Sequence, residues 1–171
     1  MKIASKLFVI ALVFSYFSSL LIGIYYGLSF EVQYKDTEQS ITNELFSMSS
    51  FDRSIYFAKN NLIVALKNML LGMFSMGAFA VVYTFSNGFY LGVTIGDCLR
   101  YISVETVLKA TIPHCSEILG LILFGYLGFL LSIKIFFNKR VLGISGMLAL
   151  VAFATFFIVV AAFAESYISM S

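Results

Sequence analysis

Long apolar windows constrain this chain more than any other feature. Three stretches, Leu7 to Phe30, Pro113 to Phe137 and Val141 to Ala164, are each apolar for the roughly 20 residues that a helix needs to cross a bilayer. Residues 61–85 make a fourth window despite Lys67 and Asn68, and residues 88–102 a short fifth one carrying Asp97 and Arg100. The chain is 60% hydrophobic and only 12% charged, against roughly 45–50% and about 25% in a soluble domain. With 171 residues there is room for a membrane bundle and for no sizeable soluble domain.

The distribution of Lys and Arg gives an orientation. Lys2 and Lys6 precede the first window, while Lys134, Lys139 and Arg140 cluster between the last two, so the positive-inside tendency places both regions in the cytoplasm. An even number of crossings must separate them, which requires 88–102 to span. The expectation is an all-α, polytopic membrane helix bundle of five transmembrane helices, at 7–30, 61–85, 88–102, 113–137 and 141–164. It is a single integral domain over residues 1–171, with the N-terminus inside and the C-terminus outside. Lys35, Arg53, Lys59, Arg100 and Lys109 then lie outside, so the two sides tie in number and only clustering near helix ends sets the orientation. The apolar part of the N-terminus is too long for a signal-peptide core and lacks a small-x-small cleavage site, which predicts a retained anchor.

An outer loop at 31–60 contains Glu31, Asp36, Glu38, Glu44 and Asp52. Within it Ile41, Leu45, Met48, Phe51, Ile55 and Tyr56 recur at helical spacing, with Asn43, Glu44, Asp52 and Arg53 off the stripe, so a short outer amphipathic helix is expected after the first span. Asn87-Gly88 is a turn signal between the second and third spans. Gly88, Gly92 and Gly96 then form a small-residue ridge on one helix face, which favours close helix packing and predicts a central third helix. Leu71-Gly72 with Gly77 is echoed by Leu119-Gly120 with Gly125.

Chemistry-bearing residues are few. Asp97 and Arg100 are one helical turn apart and should pair, and Lys67 should either snorkel outward or meet Glu117 or Asp97. The sole proline and the sole histidine, Pro113 and His114, stand beside each other with Glu117 three residues on. Pro113 suits the first turn of a helix, and His114 and Glu117 share a face. The group is compatible with a helix cap, with a conformational or partner contact, or with a proton or metal pair. A zinc site needs three or four ligands, and beyond His114 and Glu117 only Cys115 or Asp97 offers itself, so no metal and no cofactor are expected. Cys98 and Cys115 lack a CxxC spacing and predict no zinc site or disulfide. No nucleophile elbow, P-loop, HExxH or dinucleotide fingerprint occurs, so no enzyme is expected. A net charge of +2 without a basic patch excludes nucleic acid as a partner.

Asn61 opening the second span, Asn87-Gly88-x-x-x-Gly92 at the next turn and Pro113-His114-x-x-Glu117 opening the fourth occur in one order. Together they resemble the stage II sporulation protein M-like membrane proteins, over roughly residues 55 to 165. One position departs: glycine usually follows the Pro-His pair in that family, and here it is Cys115. The resemblance implies a bacterial multi-pass protein of the cytoplasmic membrane, without catalysis, working through the lipid bilayer and membrane protein partners. Two roles follow from it. One is an accessory subunit of an ABC-type transporter that exports, or confers immunity to, a membrane-active peptide of the bacteriocin type. The other is a scaffold for envelope hydrolases in sporulation engulfment. A small proton-coupled transporter using His114 and Glu117 is a third possibility, and a homo-oligomer is compatible with all three.

Overall fold

A computed structural model of the chain describes residues 2–31, 45, 47–139 and 141–169. The described residues are all-α, with no strand: α1 (Lys2–Ser29), α2 (Ser50–Phe74), α3 (Ala78–Cys98), α4 (Val104–Phe137) and α5 (Ile144–Ala164), the last passing into a π-helical turn at Glu165–Ser169. Four stretches are long and apolar enough to cross a membrane, Ala4–Ser29, Ala78–Cys98, Val104–Phe137 and Ile144–Ile168. Polar α2, with Asn60, Asn61, Lys67 and Asn68, is not among them.

Helix boundaries follow local capping. Ser49 starts α2 by accepting the Asp52 N–H at 3.2 Å, and Ser103 starts α4 by accepting that of Thr106 at 3.3 Å. The reversal between α2 and α3 falls at Ser75–Gly77. There the Gly77 N–H reaches back to the Gly72 carbonyl at 2.7 Å, with Met76 and Gly77 both left-handed, at φ 54° and 91°. This six-to-one bond is a Schellman-type stop, and the φ of Gly77 is one that a side chain would strain.

Several expected boundaries are therefore corrected. Asn87-Gly88 is not a turn but lies inside α3, because Asn87 Nδ2 donates to the Tyr83 carbonyl at 2.9 Å within the helix. The expected window at 61–85 straddles the real reversal, and Asn61 lies inside α2 rather than opening a helix. Pro113 is interior to α4, not at its first turn. The outer amphipathic helix does not stand as expected: residues 41–44 lie outside the described residues, and Phe51, Ile55 and Tyr56 belong to the first turns of α2. On those turns Phe51 and Ile55 are exposed, while Arg53 and Ser54 are buried.

Specific contacts fix the helix directions. An added Cβ on Gly23 would strike the Phe89 carbonyl at 2.2 Å, and one on Gly92 the Leu20 carbonyl at 2.3 Å. Gly27 and Gly96 repeat this relation one turn on, so α1 and α3 run parallel with their glycine faces in contact. The other helices alternate. Phe8 stacks on Phe129 at 4.1 Å and Leu12 packs with Ile122, which makes α4 antiparallel to α1. Gly120 abuts Ala154 and Ile158, and Phe51 meets Phe163, which returns α5 alongside α2 in the opposite sense. The N-terminus of α1 and the α2–α3 and α4–α5 turns thus share a proximal end. At the distal end lie the α3–α4 turn and the π turn.

The expectation of a central third helix is corrected too. The central helix is α4, half of whose apolar window is buried against about a fifth in the other three spans. It supplies Leu121, Phe124 and Leu130 to the core, with Ala65, Ala154 and Ile158 from α2 and α5 packed on it. The α3 ridge serves α1 instead. Gly72 and Gly125 both abut Ala80, but Gly77 sits in the turn and Gly125 inside a helix, so the sequence echo is not a structural repeat.

Candidate functional site

Within α4, proline has no N–H to donate to the preceding turn, so Pro113 interrupts the backbone ladder one residue before His114. His114 and Glu117 follow on one face, their Nδ1 and Oε2 atoms 3.1 Å apart. The third member comes from elsewhere: Glu165 Oε1, at the end of α5, lies 3.8 Å from the other imidazole nitrogen, Nε2. The side chains of Glu117 and Glu165 are only 15% and 18% exposed.

Glu165 is held in register by its neighbour. Ser166 is buried, donates to the Ser50 carbonyl at 2.5 Å and accepts from Arg53 Nε at 3.3 Å. Arg53 also reaches Ser50 Oγ at 3.3 Å, so the start of α2 clasps the π turn. Widened turns of this kind recur at functional sites because they re-aim a side chain without ending the helix.

A groove of about 340 Å³ opens on the cluster. Its polar wall includes Asn60 and Asn61 of α2 and Asn87 and Thr94 of α3, besides His114, Glu117 and Glu165. Asn61, Asn87, His114 and Glu117, scattered along the sequence, therefore meet in one place. A second, apolar cavity of about 210 Å³ lies between α1, α3 and α4, lined by Tyr16, Phe17, Thr111 and Cys115 among others. The two share Leu91 and Ile118 as walls.

The remaining sequence candidates lie elsewhere. Gly88, Gly92 and Gly96 face α1. Asp97 and Arg100 form the expected pair at 3.7 Å, and the Arg100 guanidinium lies 5.3 Å from the Tyr101 ring centroid, at the distal end of α3. Lys67 is exposed, and Asn68 beside it is fully buried. Cys115 borders the apolar cavity, so the departure from the family's glycine changes that wall rather than the polar groove.

Glu165, Asn60, Arg53 and Ser166 are the site residues that sequence reasoning missed. Glu165 had a usable signal: a carboxylate ending an otherwise uncharged apolar run is costly and so functional by default. The arrangement can hold a proton between the ring and either carboxylate, or a cation among all three.

No curated protein and no solved structure matches the chain. A family model described as Stage II sporulation protein M matches residues 4–170, nearly the whole length. Of the residues that carry the sequence resemblance, Asn61, Asn87, His114 and Glu117 line one groove while Gly88 and Gly92 face α1, and on the strength of the family match the chain belongs to the stage II sporulation protein M (SpoIIM) family.

Proposed function

We propose that the chain is a non-enzymatic, multi-pass accessory subunit in a Gram-positive-type cytoplasmic membrane, acting with an ABC-type transporter in export of, or immunity to, a membrane-active peptide. The observation that carries this is the shared wall of Leu91 and Ile118 between a polar groove and an apolar cavity. An amphipathic chain needs both surfaces at once, and a subunit without its own ATPase needs a partner to drive it.

Five helices of alternating direction favour five crossings, with α2 as the most polar of them. Lys6, Lys134 and Lys139 cluster beside helix ends at the proximal end, whereas Arg53, Lys59, Arg100 and Lys109 are spread along the distal half among the described acidic residues. That placement favours a cytoplasmic N-terminus and an outer groove. The family description favours a second role, a scaffold for envelope remodelling in sporulation.

Affinity purification of the tagged full-length protein from its own membranes separates the two. Transporter subunits in the eluate, with loss of peptide tolerance on deletion, are the expected result. Recovery of peptidoglycan hydrolases with unchanged tolerance would replace the transporter role by the scaffold.

A further inference from the structure

The polar groove holds an unbalanced set of charges. Two carboxylates, Glu117 and Glu165, face a single imidazole, and the residues lining the groove include no Lys or Arg. Both acids are mostly removed from solvent and belong to apolar helices suited to a membrane, where like charges close together are costly. One protonated ring offsets one negative charge, whereas a divalent cation offsets two.

The donor geometry suits such an ion. One ligand atom from each of His114, Glu117 and Glu165 lies within 4.8 Å of the others. Nitrogen and oxygen donors about 2.0–2.2 Å from a tetrahedral zinc stand roughly 3.3 Å apart. Glu117 stands 3.1 Å from Nδ1 and Glu165 3.8 Å from Nε2, so each ring nitrogen already has one carboxylate near that value, and a set of one donor atom per residue closes within 4.8 Å. Closing the set around one ring nitrogen requires the carboxylate that faces the other nitrogen to swing toward it by side-chain rotation.

We infer that His114, Glu117 and Glu165 form a binding site for a divalent cation of the zinc class. One imidazole nitrogen and two carboxylates supply three ligands, and the fourth position opens on the groove toward Asn61 and Asn87, where water or an amide oxygen completes the shell. A mixed N/O set of this kind selects zinc, cobalt or manganese over soft, thiolate-seeking ions. The ion joins α4 to the end of α5, so binding also clamps those two elements.

The test uses full-length protein in detergent, with Co²⁺ as a spectroscopic probe and Zn²⁺ as competitor. The expected result is one Co²⁺ per chain, displaced by Zn²⁺, with affinity lowered at least about tenfold in Glu165→Gln and in Glu117→Gln. Both variants keep the shape of the side chain while removing its charge, and an unchanged helical circular dichroism signal shows that they fold. A Cys98→Ser/Cys115→Ser variant should bind as the parent does. Binding well below one ion per chain would overturn the site. So would full affinity in both Gln variants, or loss of binding in the cysteine-free protein alone.

Discussion

Gly92→Leu is expected to disrupt the seam between α1 and α3 and to lower stability by about 3 kcal/mol or more, the upper range for overpacking. The first side-chain carbon would already stand 2.3 Å from the Leu20 carbonyl oxygen, 2.9 Å from the Ile24 nitrogen and 3.0 Å from the Gly23 Cα. These are backbone atoms of another helix, so no rotamer change relieves the clash. Sliding does not help either, because Gly23, Gly27, Gly88 and Gly96 impose the same limit along the seam. Separation of the helices forfeits contact along the whole face, and in lipid that contact is what holds helices together. Thermal unfolding of the purified protein should show a midpoint lower by roughly 6–12 °C. Gly143→Ala is the control, since a Cβ there meets only Ser145 Oγ, at 3.9 Å. Equal stability of the two variants would remove the glycine seam from the account.

This seam was half legible. The Gly88, Gly92 and Gly96 ridge is plain in the sequence, and so, with hindsight of the contact, is Gly23-x-x-x-Gly27 in the first window. What spacing does not supply is which ridge meets which, and the assignment of α3 to the centre failed for that reason. The central helix α4 carries its own small residues, Gly120, Gly125 and Gly128, facing Ile158, Asn68 and Met69 respectively.

The second large effect is expected at Asn68, where two substitutions should act in opposite directions. Asn68 is fully buried between α2 and α4, its Nδ2 donating to the Leu121 carbonyl at 3.2 Å, while Oδ1 has no hydrogen-bond partner among the described residues. Asn68→Asp keeps the shape but removes the donor and leaves a carboxylate without a counterion, a change costing about 3–5 kcal/mol. Asn68→Leu removes an unsatisfied acceptor and leaves only a helix carbonyl that has its own backbone partner, so stability should stay within about 1 kcal/mol of the parent. Chemical or thermal unfolding in the same detergent reads both. A tolerated Asp with a destabilising Leu would show that Asn68 faces water rather than the packed core.

The contrast between Asn68 and Lys67 also shows what one sequence can and cannot tell. Adjacent residues on a helix point in different directions, and hydropathy treats both as flaws in an apolar window. The same averaging merged the second half of α2 with the start of α3, since neither Ser75 nor Met76 is a strong turn signal, while Asn87-Gly88 is one. There the usual preference yielded to tertiary contact: Gly88 is needed where a Cβ would stand 2.3 Å from Ser19 Oγ and 2.6 Å from the Tyr16 carbonyl. Pro113 was misplaced for a related reason, as proline at a helix start is common in water and an interior proline is tolerated in membrane helices. His114 and Glu117 were legible as a pair because one helical turn joins them. Glu165 was not, because only the packing of α5 on α4, and the clasp of Ser166 by Ser50 and Arg53, brings it to the ring.

The convergence of Glu165 on His114 is the central claim, and the sole histidine makes it directly measurable. Solid-state NMR on the protein in lipid bilayers, with labelled imidazole nitrogens and glutamate carboxyl carbons, reads nitrogen-to-carboxyl couplings over a few ångströms. In a Glu117→Gln background, a carboxyl carbon should still couple to the imidazole, in keeping with the 3.8 Å approach of Glu165, and the coupling should vanish on adding Glu165→Gln. Loss of all carboxyl coupling in Glu117→Gln alone would contradict the account. His114 would then have only its own helix neighbour, and α5 would not contribute to the site.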